Sequence, residues 1–199
     1  MFSLNKLSPS ITDMIRFDHS HVMVTFHQYT TTSKTSVKKA LAETICDALE
    51  IHATLEEEIF YPVLRRLNGS EPVILKSEPE HDEMRRMIGE IRAATDIDSQ
   101  FDSMLHDLMR DVMHHVADEE TVLLPEAERL LGKDRLNELG AAMTRRRLEL
   151  IKPKAAKIAK NTAVGFSGST TAIVVGLASA LVAARFVSKR IPDVTRSAH

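Results

Sequence analysis

The sequence predicts an all-α protein: an antiparallel four-helix up-down bundle built from two repeated helical hairpins, followed by a fifth helix and a C-terminal hydrophobic helix. Three observations predict it. Apolar residues recur at helical spacing along four long segments. A stretch in the second segment returns 63 residues later in the fourth. The composition, 43% apolar and 27% charged in 199 residues with seven glycines, seven prolines and one cysteine, suffices for a packed core and excludes disordered, collagen-like and disulfide-stapled chains.

Ser8-Pro9 reads as the N-cap and first-turn proline of the first helix, with Ile11, Ile15, Val22 and Phe26 on one stripe and His19 among them. Residues 30–36 are polar and read as a loop. The second helix carries Leu41, Ile45, Ala48, Ile59 and Val63 on one face, includes His52 and Glu56, and stops at Asn68-Gly69. Ser77, Glu78 and Pro79 open the third, with His81, Met84, Ile88 and Ile91 inward. The fourth carries Phe101, Leu105, Leu108, Val112 and Val122, with His115 and Glu119 in the stripe, and ends at Gly132. A fifth, over 134–151, has Leu136, Leu139, Met143 and Leu150 on its apolar face and an exposed triplet, Arg145 to Arg147, before Lys152-Pro153 closes the domain. The expected organisation is an N-terminal arm over 1–9, a bundle over 10–151 and a basic-flanked tail over 152–199.

The run from His52 to Pro62, HATLEEEIFYP, aligns without gaps on the run from His115 to Pro125, HVADEETVLLP. Nearly the same offset relates Asp18-His19 to Glu80-His81. Histidine and glutamate at i and i+4 share a helix face, so each pair presents a nitrogen and a carboxylate to one cavity. Burying a carboxylate in an apolar stripe costs several kcal/mol unless a positive charge compensates, and no lysine or arginine occupies these stripes. Metal ions are the economical answer: the two carboxylates, Glu56 and Glu119, could bridge two cations and the four imidazoles, His19, His52, His81 and His115, complete their shells, a mixed set that suits iron, manganese or zinc better than calcium or magnesium. Any one of these histidines alone is better read as a surface or satisfied core side chain. The six positions with their repeated flanks carry the inference. His21, His27, His106 and His114 lie off the stripes and read as surface or supporting residues, and Glu57, Glu58 and Glu120 as solvated.

With Asp18-His19, the two H-x-x-x-E-E segments and His81 in place, the chain resembles the hemerythrin-like (HHE cation-binding) family over about residues 10–150. The resemblance implies His19, His52, His81 and His115 as terminal ligands, Glu56 and Glu119 as bridging carboxylates, and two iron ions in a non-haem di-iron centre with an oxo or hydroxo bridge. It also implies dioxygen, nitric oxide or peroxide as the small ligand. Two departures from the oxygen-carrying hemerythrins stand out: Arg85 occupies the place of a further histidine, and the last carboxylate follows His115 by four positions rather than five. One fewer nitrogen favours oxygen or redox sensing, iron handling or stress response over simple oxygen carriage. The alternatives are a di-metal oxidase or peroxide-reducing enzyme, and a membrane-tethered interaction module with a structural metal.

The near-neutral charge hides a split: residues 1–150 hold 18 basic and 27 acidic residues, a net of −9, and residues 151–199 hold 8 and 1, a net of +7. An acidic body argues against nucleic acid as a partner. Residues 161–184 carry no formal charge, and a single membrane span is expected over about 163–184. Gly168, Ala172, Gly176, Ala180 and Ala184 form a small-residue ridge suited to a homo-oligomer. Residues 1–10 lack a secretory signal, so the expectation is a cytoplasmic bundle anchored through its tail, with a soluble cytoplasmic protein as the alternative.

Overall fold

A computed structural model describes residues 9–167, and those residues contain helices and no strands. Helix α1 spans Ile11–His27, and its cap is Ser10 rather than Ser8, which lies outside the described residues. Ser10 Oγ accepts from the Asp13 amide at 3.1 Å while Asp13 accepts from the Ser10 amide at 3.3 Å, a reciprocal capping box that satisfies two otherwise orphaned donors.

The segment expected as one long second helix is α2 (Thr35–Leu55), a π-helical turn (Glu56–Phe60) and α3 (Tyr61–Asn68). Proline explains the interruption. Pro62 has no amide hydrogen to donate, and its ring crowds the carbonyl four residues back. A wider turn, closed by the Tyr61 amide on the Glu56 carbonyl, relieves that crowding. The same device recurs with Pro125: α5 (Ser99–Asp118), a π-helical turn (Glu119–Leu123) and α6 (Leu124–Leu130). Each π turn begins at the glutamate of an H-x-x-x-E pair. Between them α4 runs over Pro72–Ala93, starting five residues before the expected Ser77; Pro72 takes the first-turn position, and Pro79 lies inside the helix.

The ends of the helices define an up-down bundle. One apolar cluster gathers Tyr29 after α1, Leu41 near the start of α2, Ile91 near the end of α4 and Phe101 at the start of α5. A second cluster gathers the opposite ends: Ile11, Leu55, Phe60, Ile74 and Leu123. At the first pole Lys38 Nζ lies 2.7 Å from Asp102 Oδ1, which also accepts from the Tyr29 hydroxyl, so this buried carboxylate has two partners and ties α1, α2 and α5 together. The predicted metal ligands lie between the two apolar clusters.

Helix α7 (Lys133–Ile151) follows, packed on α1 and α2. The chain does not leave the body at Lys152-Pro153: a single 3-10 turn (Lys152–Lys154) leads into α8 (Ala155–Gly165), which lies along α2. Lys154 reaches Glu50 at 2.8 Å, Lys157 reaches Glu43 at 2.7 Å, and Phe166 joins the first apolar cluster. No helix among the described residues is long and apolar enough to cross a membrane. The expected span over 163–184 and its small-residue ridge lie outside the described residues from 168 onward; residues 163–165 belong to the end of α8 and Phe166 caps it, with Gly165 and Phe166 buried.

Candidate metal centre

Six elements each contribute one predicted ligand: α1 gives His19, α2 His52, the first π turn Glu56, α4 His81, α5 His115, and the second π turn Glu119. All six are buried, the two glutamates completely. Their inward atoms converge. His19 Nε2 lies 3.3 Å from Glu119 Oε2, His52 Nε2 3.2 Å from Glu56 Oε2, His81 Nε2 3.5 Å from Glu56 Oε2, and His115 Nε2 3.5 Å from Glu119 Oε2. They form two donor groups, His19, His52, Glu56 and Glu119 in one and Glu56, His81 and His115 in the other, with the donor atoms of each within 4.8 Å of one another. Glu56 belongs to both.

The opposite nitrogen of each ring faces a carboxylate from another helix. His19 Nδ1 meets Glu120 at 2.9 Å, His81 Nδ1 meets Glu57 at 2.9 Å, His115 Nδ1 meets Glu80 at 2.9 Å, and His52 Nδ1 lies 3.5 Å from Asp18. A carboxylate that accepts from Nδ1 fixes the tautomer with Nε2 free to donate its lone pair inward. Glu57 and Glu120, expected to be solvated, are therefore half-buried braces that lie outside the donor groups. Arg147, expected to be exposed, engages both oxygens of Asp18. Arg146 does the same to Glu58, and only Arg145 of the triplet is exposed.

Tyr61 joins the cluster, a contact that the sequence does not announce. Its hydroxyl donates to Glu119 Oε1 at 2.7 Å, lies 3.1 Å from Glu56 Oε2 and 3.4 Å from His81 Nε2, and the ring is fully buried. The signal was in the repeat: Leu124 stands at the matching position, so a hydroxyl in an apolar slot marks one copy as different.

Burial and the neighbouring Glu119 charge push Glu56 well above the usual carboxylate range. Glu119 is held below it, because His115, His19 and His52 outweigh its burial. Two carboxylates this close do not both ionise without added positive charge, so one proton stays on the pair. Burial, followed by the neighbouring His115 and His52, lowers His81 to about 3, which leaves its ring neutral and able to ligate. The other histidines among the described residues stay out of the cluster: His21 stacks on Phe17, His106 packs edge-on to Phe26 and Tyr29, and His27 and His114 are exposed.

Residues 10–127 match the family model of the hemerythrin HHE cation-binding domain. The chain belongs to that family. The buried histidine and glutamate cluster within this domain is a group that could hold a metal ion. Among curated proteins, a DNA nickase from a Nostoc species is 28% identical over 134 residues, covering 67% of this chain and 38% of that protein. The hemerythrin chain thus spans well under two thirds of that relative's length. No solved structure matches.

Proposed function

We propose that this hemerythrin-family chain holds two iron ions in the buried cluster and binds dioxygen, nitric oxide or peroxide there, in oxygen or redox sensing, iron handling or stress response. One observation carries the reading. His19 Nε2, His52 Nε2, Glu56 Oε1 and Glu119 Oε2 are buried side-chain atoms without a hydrogen-bond partner; their residues make up the first donor group, and Glu56 belongs to the second as well. Orphaned buried acceptors each cost on the order of 1–3 kcal/mol, more when charged, and cations answer that cost in one step.

The donors fit iron: neutral imidazole nitrogens and carboxylates in a mixed shell suit a first-row transition ion, whereas calcium and magnesium prefer oxygen alone. His19, His52, His81 and His115 would be terminal ligands and Glu56 and Glu119 would bridge. Iron would supply a one-electron redox couple at the site. The chain supplies the rest. Asp18, Glu57, Glu80 and Glu120 orient the imidazoles, Tyr61 directs a proton at Glu119 Oε1, and the apolar clusters exclude bulk water.

The size of the guest follows from the cavity beside the rings. It holds about 10 Å³, room for one water-sized molecule, and apart from the histidines and Asp18 its walls are Val22, Leu49, Ala53, Met84, Val112 and Val116. Apolar walls suit uncharged diatomics better than a peroxide that must exchange protons. The nicking activity named for the Nostoc relative does not extend to this reading, since the body carries a net charge of −9 over residues 1–150. Anaerobic loading with ferrous iron, followed by optical spectra before and after air, tests the proposal. About two irons per chain and a new charge-transfer band on aeration are expected; a protein that retains no iron overturns it.

A further inference from the structure

We infer that α7 is a working part of the metal centre and that Arg147 on it is a positioning residue, acting through Asp18 on His52. This inference rests on the metal-binding reading above. Helix α7 lies wholly beyond residues 10–127, the part matched by the family. Yet it is seated against the residues that build the site. At Gly140 it meets the start of α1 so closely that an added Cβ would stand 2.1 Å from the Pro9 carbonyl oxygen. Arg146 forks onto Glu58 in the first π turn at 2.6 and 2.9 Å. One residue on, Arg147 forks onto both oxygens of Asp18.

The four braces differ in what holds them. Glu57 takes one nitrogen of Arg85 at 2.7 Å, and Glu80 lies 3.4 Å from Lys76. Among the described residues no lysine or arginine comes within ion-pair distance of Glu120, whose partner is His19. Asp18 alone has both oxygens gripped by one guanidinium, and this pair is the most buried of the three, at 20% and 13% side-chain exposure. It is also the brace that stands off: 3.5 Å from its imidazole, where the other three are at 2.9 Å. Neither nitrogen of His52 has a hydrogen-bond partner.

A carboxylate chelated by a planar guanidinium has one lone pair of each oxygen engaged and its plane fixed. Arg147 therefore holds Asp18 back, and His52 is the most loosely braced of the four histidines. A lysine at 147 would keep the charge but engage as a point, which frees one Asp18 oxygen to close on His52 Nδ1. A firmer brace makes the ring a better donor.

The test uses the full-length chain loaded with ferrous iron, with release to an excess of a ferrous chelator followed in wild type, Arg147→Lys, Asp18→Asn and the double variant. Melting temperature is compared with and without iron for each. The expected result is slower release and a larger iron-induced rise in melting temperature for Arg147→Lys, and release about tenfold faster for Asp18→Asn. In the Asp18→Asn background the lysine should change nothing further, because its route to the metal is gone. Arg135→Lys, whose partner is Glu138 on the same exposed face of α7, should release iron like wild type. If wild type binds iron but Arg147→Lys leaves release and the iron-induced shift unchanged, or its effect persists without Asp18, this inference falls alone. If wild type binds no iron, the metal-binding reading falls with it.

Discussion

The two halves of the bundle repeat the same donor positions and differ in much of what surrounds them. His19, His52 and Glu56 in the first half answer to His81, His115 and Glu119 in the second, each glutamate opening a π turn before a proline. Outside that layer the match breaks. Tyr61 stands where the second half has Leu124, Arg147 grips Asp18 where Lys76 only approaches Glu80, and α7 and α8 both pack on the first half. The six buried positions keep the same donor types in both halves, while Tyr61, Arg147, α7 and α8 make their surroundings unequal.

The comparison is broken most completely by Glu56→Ala with Glu119→Ala, which should abolish iron retention on dialysis; of the single variants Glu56→Ala should lose more, since only Glu56 sits in both donor groups. His106→Ala, outside the cluster, should bind as wild type. Next in size is Gly140→Ala. Its added methyl meets backbone at the start of α1, which cannot step aside, so a loss of about 2 kcal/mol is expected in denaturant unfolding. Gly165→Ala should cost less, because its methyl meets the flexible end of Leu41 at 2.9 Å. Tyr61→Phe makes the first half more like the second: it should retain iron, lower stability by about 1–2 kcal/mol and shift the optical spectrum, as Glu119 loses its phenolic donor.

The smallest expected effect concerns α8. Burial opposes the charge on Glu50, but Arg92 and Lys154 outweigh it and hold the group below the usual carboxylate range. A depressed carboxylate contributes stability above its unfolded pKa and loses it as pH falls through the folded value. Hydrogen exchange in α8 should therefore accelerate in acid before the bundle melts, and Glu50→Gln should show the faster exchange already near neutrality.

The inner layer was legible in the sequence because it obeys a local rule. Histidine and glutamate one turn apart must share a face, and a gapless repeat of that pair is hard to explain otherwise. The four long helices followed from apolar spacing for the same reason. What was not legible depends on neighbours from other helices. Nothing local to Glu57 or Glu120 tells that each will brace a histidine from the opposite hairpin, so solvent was the natural reading. Arg147 sits in a basic triplet whose members differ only in which helix they meet. The π turns leave apolar spacing nearly intact, and only the prolines at 62 and 125 hinted at them. Helix α8 reads as a basic leader until Glu43, Asp47 and Glu50 on α2 are seen to receive its lysines.

In the proposed centre, donors repeated in the two halves would hold two ions in unequal surroundings. Mössbauer spectra of the full-length chain, loaded anaerobically with iron-57 and freed of excess metal, test it most directly. About two irons per chain, in two distinct quadrupole doublets of equal area, are expected. Loss of all iron on desalting, or a single doublet from both ions, would contradict it.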